Sequence, residues 1–152
     1  MRTVLLLGIG NPGRRDDGLG PALAERIEQL NLPLVTVDAD YQLTVDDAAD
    51  AAQHDVLIVA DAAATGEEPY SFKPFAASAH LEFSSHSMEP GGVLGLCETA
   101  FGKKPDAFVL GIRGYEFDPL VEGLTEKAKE NLEKAQRFLV RILEGDRAFS
   151  DR

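Results

Sequence analysis

The chain has 152 residues and a single cysteine, so its length is typical of one globular domain and no intrachain disulfide can form. It carries 26 acidic and 15 basic side chains, and the resulting net charge of −11 argues against a nucleic-acid partner, whose phosphates require a basic surface. No stretch approaches the roughly 18 uninterrupted apolar residues of a transmembrane helix, which argues against a membrane partner.

The start of the chain predicts a cytoplasmic protein. Only Arg2 precedes the apolar run that begins at Thr3, and no small-residue cleavage site of a secretory signal follows it. We therefore expect one cytoplasmic domain spanning residues 1–152, with a frayed polar tail from about residue 145.

The first half of the chain alternates between apolar strands and helices. Thr3 to Leu7 and Val56 to Ala60 are continuous apolar runs, which are typical of strands buried on both faces of a parallel sheet. Between them, the pattern predicts a helix over Gly20 to Leu30, a strand over Leu34 to Val37 and a short helix over Val45 to Ala52.

The second half is less regular at its beginning. Ala62 to Ala79 is rich in Gly, Pro, Ser and Glu, and it predicts a long loop or a hairpin leading into a strand near Leu81 to Phe83. A helix over Gly92 to Phe101, a strand over Phe108 to Ile112 and a long helix over Leu120 to Leu143 follow. The alternation predicts a three-layer α/β/α sandwich with a mostly parallel, twisted sheet of about five strands and with ligand chemistry at the carboxyl ends of the strands.

Unusual polar residues follow three of the predicted strands. Asp16 and Asp17 come after the first strand, Asp61 directly follows the third, and His86 follows the strand near Leu81. Because such positions converge at one sheet edge, Asp17, Asp61 and His86 could form a mixed oxygen and nitrogen site suited to Zn, Ni or Mn. A helix N-cap, a turn residue and a surface loop residue are the alternative interpretations of these three residues.

Two glycine motifs of known protein classes match the sequence at the end of the first strand. Gly8, Gly10 and Gly13 satisfy the dinucleotide pattern GxGxxG, but Pro12 and two aspartates intervene before the helical pattern begins, and the aspartates would repel a pyrophosphate. A tight turn explains the first two glycines equally well. GIGNPG also resembles the opening of bacterial peptidyl-tRNA hydrolases, whose catalytic histidine has no counterpart in the following RRDDGLG.

Five segments carry a further resemblance: LLLGIGN, DDGLGPALAERI, VLIVADA, SSHSMEPGGVLGL and VLGIRGYEF. They cover nearly the whole chain and resemble the nickel-iron hydrogenase maturation endopeptidases, which remove a C-terminal extension from the large-subunit precursor after nickel insertion. The resemblance implies a single peptidase domain whose partner is that precursor. It also implies that Asp17, Asp61 and His86 are metal ligands, that nickel arrives with the substrate, and that Zn or Cd can substitute in vitro.

The implied chemistry is metal-assisted, with the ion polarising the scissile carbonyl or lowering the pKa of a bound water. Cys97 lies within an apolar helical pattern and is interpreted as a core residue, and no GxSxG turn presents Ser84 or Ser85 as a nucleophile. Asp16 remains open between a general base, a group that orients a metal ligand and a cap of the first helix.

Other polar residues have weaker functional interpretations. Asn11 could supply hydrogen bonds around the site, although its position just after the glycine turn favours a structural role. His54 and His80 are interpreted as surface or structural residues. The loop Tyr41 to Leu43 could face the substrate, and Arg113 could bind a substrate carboxylate or form a structural salt bridge. A non-catalytic metal- or nucleotide-binding module using the same strand ends is the alternative to the peptidase.

Overall fold

The computed structural model describes residues 2–78 and 88–145. Five strands in these ranges form one sheet: β1 (Val4–Ile9), β2 (Val35–Asp40), β3 (Val56–Ala63), β4 (Tyr70–Pro74) and β5 (Asp106–Arg113). Their spatial order is β2-β1-β3-β5-β4, in which the first four are parallel and β4 is antiparallel to β5. The carboxyl ends of the four parallel strands therefore share one edge of the sheet.

Helices cover both faces of this sheet: α1 (Leu19–Glu28), α2 (Val45–Ala51), α3 (Pro90–Phe101) and α4 (Glu126–Gly145). Helices α1 and α4 pack on one set of alternate strand residues, including Leu6 and Ile58. Helices α2 and α3 pack on the other set, including Leu5 and Leu57, so the central strands are buried on both sides. The predicted three-layer sandwich is confirmed. In the described ranges no helix is both long and apolar enough to cross a membrane.

Most predicted elements lie within three residues of their observed bounds, but the region between 62 and 79 differs. It contains the edge strand β4, and neither the loop nor the hairpin prediction anticipated that this strand pairs with β5. Phe72 of β4 stacks on Phe108 with ring centroids 4.9 Å apart and packs edge-on against Phe138 of α4. Contacts with distant segments thus hold this short strand. The strand predicted near Leu81 to Phe83 lies outside the described residues.

Helix α4 begins at Glu126, so the prediction that it begins at Leu120 is wrong. Leu120 and Gly123 have positive φ angles of 63° and 93°, which a right-handed helix does not contain. The Thr125 hydroxyl then accepts a hydrogen bond from the Ala128 N–H at 3.3 Å and caps the first turn of α4. The apolar pattern continues into this loop although the backbone there is not helical.

Candidate metal centre at the edge of the sheet

Two glycines bring the start of α1 against the carboxyl ends of the central strands. A Cβ at Gly20 would lie 2.3 Å from the Ile9 carbonyl oxygen and 2.5 Å from the Ala60 carbonyl oxygen. A Cβ at Gly8 would lie 2.4 Å from the Gly20 carbonyl oxygen. This close approach requires glycine at both positions, and it places the 3-10 turn Arg15–Gly18, which directly precedes α1, at the edge where β1 and β3 end.

Asp17 lies on the 3-10 turn, which contacts β3, and Asp61 lies near the carboxyl end of β3. Each of the two carboxyl groups accepts a hydrogen bond from a backbone N–H. The Asn11 N–H donates to Oδ2 of Asp17 at 2.8 Å. The Ala62 N–H donates to Oδ1 of Asp61 at 2.8 Å. These bonds orient the two carboxyl groups. The charge of Asp17 acts on Asp61, and the convergence of these two residues with His86 on one metal ion stays a prediction.

The environment of Asp61 disfavours its ionised form. Burial, together with the negative charges of Asp17 and Glu89, raises the pKa of Asp61 to about 6, against the opposing hydrogen bond from the Ala62 N–H. A proton or a metal ion between the carboxylates would relieve this repulsion. The second oxygen of each group receives no hydrogen bond from the described residues, so the donor set fits a cation that prefers oxygen and nitrogen ligands.

The sequence motifs did not indicate Glu89 as a residue near the site. It is the exposed N-cap residue of α3, and its charge acts on Asp61. Its position three residues after His86, in SSHSMEPGG, was the available signal. His86 itself lies outside the described residues, as do Ser84, Ser85 and His80, so the role of His86 as a ligand stays a prediction.

Asp16 is fully buried, and both of its oxygens accept hydrogen bonds from the segment between β5 and α4. Oδ2 accepts from the N–H groups of Tyr115 at 2.8 Å and Glu116 at 3.1 Å and from the Thr125 hydroxyl at 2.8 Å, while Oδ1 accepts from the Thr125 N–H at 2.8 Å. Burial alone would raise the pKa of Asp16, but these bonds hold it below its ordinary value.

These contacts distinguish among the three interpretations of Asp16. It does not cap α1, whose N-cap is Gly18 and receives no side-chain bond, so that interpretation is wrong. Its oxygens are engaged by fixed donors, which favours the orienting role for the neighbouring Asp17 over proton transfer. A catalytic role for Asp16 stays a prediction.

Most of the chain superimposes on solved structures of hydrogenase maturation enzymes. The hydrogenase maturating endopeptidase HybD from E. coli matches with a TM-score of 0.74 and 21% identity over 95% of this chain and 94% of that one. The nickel-iron hydrogenase maturation protease HycI from Thermococcus kodakarensis matches with a TM-score of 0.70 and 23% identity over 93% and 92%. The chain has the fold of these maturation peptidases. The sequence by itself matches no protein-family model and no curated protein.

A third structure of the same kind, the hydrogenase 2 maturation peptidase from Thaumarchaeota archaeon SCGC_AB-539-E09, matches with a TM-score of 0.69 and 21% identity over 93% of this chain and 98% of that one. The resemblance seen in the sequence is thus confirmed at the level of the fold. Identities this low support the fold alone.

Within the maturation-peptidase fold, the single cysteine is a core residue, as predicted. Cys97 is fully buried between α2 and α3, and its thiol donates to the Ala48 carbonyl oxygen at 3.2 Å. Burial raises the pKa of the thiol, with a smaller contribution from the charge of Glu98. Because the thiolate is the nucleophilic form, this environment disfavours a cysteine-protease mechanism.

The remaining polar residues have structural contacts. Oδ1 of Asn11 accepts from the Gly13 N–H at 2.9 Å, which confirms its structural role beside the glycine turn. Arg113 donates to the Gly66 carbonyl oxygen at 2.8 Å, and its guanidinium lies 5.2 Å from the Tyr115 ring centroid. These contacts, rather than a salt bridge, hold Arg113, and a substrate role for it stays a prediction.

His54 and Tyr41 lie at opposite ends of β2. The His54 ring contacts the Asp50 carbonyl oxygen at 2.7 Å and the Thr36 hydroxyl at 3.1 Å, which confirms the structural interpretation. Tyr41 follows the carboxyl end of β2 and is 67% exposed, so its side chain is accessible to a substrate, although nothing tests that role.

A second group of carboxylates lies between β2 and α2. One oxygen from each of Asp38, Asp47 and Asp50 lies within 4.8 Å of the others. Asp47, however, forms the capping box of α2 and accepts from the Thr44 N–H at 2.8 Å. Helix capping therefore accounts for the buried member of this group.

Proposed function

We propose that the protein is an endopeptidase that removes the C-terminal extension of a nickel-iron hydrogenase large-subunit precursor after nickel insertion, and that it recognises the metal through Asp17, Asp61 and His86. The observation that carries the proposal is the placement of Asp17 and Asp61 at the carboxyl edge of the sheet, where each carboxyl group is oriented by a backbone donor. The fold shared with solved maturation endopeptidases supports it.

The pair is suited to a metal that is delivered by the substrate. With a pKa of about 6, Asp61 is close to half protonated in slightly acidic solution and largely ionised at neutral pH, where it repels Asp17. Nickel held in the precursor would supply the missing positive charge to the two free carboxylate oxygens, and His86 would add an imidazole nitrogen. Metal insertion would thereby be coupled to recognition of the precursor.

Cleavage is assigned to an activated water rather than to a nucleophilic side chain. The thiol of Cys97 is buried and its raised pKa keeps it protonated, so it does not serve as the attacking group. The nickel of the substrate would polarise the scissile carbonyl or the attacking water, and the oriented carboxyl groups of Asp17 and Asp61 would hold the reacting groups in place. Asp16 would act on this geometry through the backbone of the 3-10 turn.

A nucleotide-binding module is the competing hypothesis, and the local geometry disfavours it. The residues that directly precede α1 include Asp16 and Asp17, whose charges would repel a pyrophosphate at that helix N-terminus. Gly8 and Gly20 are explained by close packing of backbone against backbone. A nucleotide that co-purifies with the protein would favour the module, whereas specific shortening of the precursor would favour the peptidase.

The test is cleavage of a large-subunit precursor, prepared with and without nickel and followed by mass spectrometry. We expect the wild type to shorten only the nickel-loaded precursor, and Asp17→Asn, Asp61→Asn and His86→Ala to fold yet leave it intact. Asp55→Asn is the matched control, since Asp55 lies at the amino end of β3, at the opposite edge of the sheet.

Two outcomes of this test would contradict the proposal. Intact nickel-loaded precursor after incubation with the wild type would refute the assigned activity. Equal cleavage of nickel-free precursor after addition of Zn²⁺ to the enzyme would make the metal an ordinary catalytic cofactor, and the recognition of substrate-borne nickel would be wrong.

A further inference from the structure

The loop between β5 and α4 presents a leucine in an unfavourable backbone conformation. Leu120 is 97% exposed and has a φ of 63°, in the left-handed region that favours glycine. This conformation is unfavourable for a residue with a bulky side chain. Because the side chain is almost fully exposed, packing against the described residues does not offset the cost. Backbone outliers of this kind are concentrated at functional sites.

The surrounding contacts fix this conformation. The Arg15 N–H donates to the Val121 carbonyl oxygen at 2.7 Å, and the Val121 N–H donates to the Gly13 carbonyl oxygen at 3.1 Å. The Arg15 guanidinium adds a bond to the Gly123 carbonyl oxygen at 3.0 Å. The leucine is therefore held at one place beside the turn that carries Asp17, and it does not sit on a loosely tethered loop.

Leu120 borders a surface groove that shares Asn11 with the candidate metal centre. The groove has a volume of about 620 Å³ and lies between the β5–α4 loop and the segment that follows β1, with these lining residues: Asn11, Gly13, Arg14, Pro119, Leu120 and Glu122. Asn11 lines the groove and also contacts the candidate metal centre, because its N–H donates to the Asp17 carboxylate. The charges of Arg14 and Glu122 are opposite in sign, and Pro119 and Leu120 supply the apolar part of the lining.

We propose that Leu120 is a specificity-determining residue that binds an apolar side chain of the precursor segment leading to the scissile bond. This inference rests on the proposed function, which brings the precursor segment to Asp17, beside the turn to which the Leu120 loop is bonded. Glycine at this position would fit the backbone without strain but would offer no apolar surface. The strained leucine is thereby explained as a residue retained for contact with substrate.

The experiment compares Leu120→Gly with Leu34→Gly in the full-length protein. Leu34 is the matched control, because it also has a left-handed φ, of 65°, and is 45% exposed, while its carbonyl accepts from Val4 N–H at the amino end of the sheet. Both variants should keep Tm within about 4 °C of the wild type, since each exchanges a strained residue for a flexible one. The two variants should differ in their cleavage of nickel-loaded precursor.

For Leu120→Gly we expect a KM at least about tenfold higher with kcat nearly unchanged, because the lost apolar contact acts on substrate binding. Leu120→Met should restore most of the affinity, and Leu34→Gly should match the wild type. Unchanged KM in Leu120→Gly, with a wild type that cleaves, would overturn the role of Leu120 alone. A wild type that leaves the nickel-loaded precursor intact would overturn the proposed function and, with it, this inference.

Discussion

Replacing Asp61 by asparagine should stabilise the metal-free protein at neutral pH. The pKa of Asp61 is raised from its ordinary value of 3.8 to about 6, so the native state holds a proton that the unfolded chain releases. Below about pH 4 the Asp61 carboxyl group is protonated in both the native and the unfolded state, so it does not lower the free energy of unfolding. As the pH rises through 6 the native state is forced to ionise, and the full penalty is present at pH 7.

The size of the effect follows from the same two values. The difference between 3.8 and about 6 corresponds to about 3 kcal/mol, at about 1.36 kcal/mol for each pKa unit. Water reaches Asp61, which is only half-buried, so we expect a measured gain of about 1 to 3 kcal/mol for Asp61→Asn at pH 7. Asparagine retains an oxygen for the Ala62 N–H, so the orienting hydrogen bond is not lost.

The assay is urea unfolding of both proteins in a chelator, at pH values from 4 to 7, with the free energies compared at each pH. The difference should be smallest at pH 4, grow between pH 4 and 6, and level off by pH 7. Asp55→Asn should behave oppositely, because hydrogen bonds from Thr3 lower the pKa of Asp55 and its ionised form stabilises the native state. An Asp61→Asn difference that shrinks or stays constant with rising pH would refute the electrostatic argument.

Three further substitutions test other parts of the structure. In Asp16→Asn the side-chain NH2 group would face the N–H and O–H groups that donate to the native carboxylate. We expect a loss of about 3 kcal/mol or more of unfolding free energy, with faster hydrogen exchange at the amides of Tyr115 and Glu116. Cys97→Ala should retain precursor cleavage while losing about 1 kcal/mol of stability by denaturant unfolding, because it leaves only a small cavity. Gly20→Ala should sharply lower both Tm and cleavage because its Cβ would meet two strand carbonyls, whereas Gly92→Ala, whose Cβ would lie 3.6 Å from the nearest atom, should be tolerated.

The fold was largely predictable because its central strands are buried on both faces. β1, β3 and β5 are continuous apolar runs, and α1 has a clear apolar stripe, so local pattern alone locates them. Strand β4 escaped prediction because it is half-exposed and depends on Phe108 and Phe138, which lie far along the chain. The start of α4 was misplaced because hydrogen bonds, and not the apolar pattern, set the backbone of residues 120–125.

The candidate site was predictable only in its location. Parallel strands bring their carboxyl ends together, so positions after β1 and in β3 place Asp17 and Asp61 at the same edge of the sheet. The structural partners of Asp16 and the influence of Glu89 depend on contacts between distant segments, which spacing in the sequence does not reveal. His86 stays a prediction, since it lies outside the described residues.

The hydrogen bonds of Asp16 also have a consequence for the order in which the protein folds. Its partners Tyr115 and Thr125 are 99 and 109 residues further along the chain, so these bonds close one of the longest loops in the domain. Such contacts form late, after the closure entropy has been offset by other interactions. A nascent chain that has not yet reached α4 would carry Asp16 without its donors. We therefore expect the turn bearing Asp17 to acquire its final geometry only when the last helix docks, so that a partly synthesised chain is inactive.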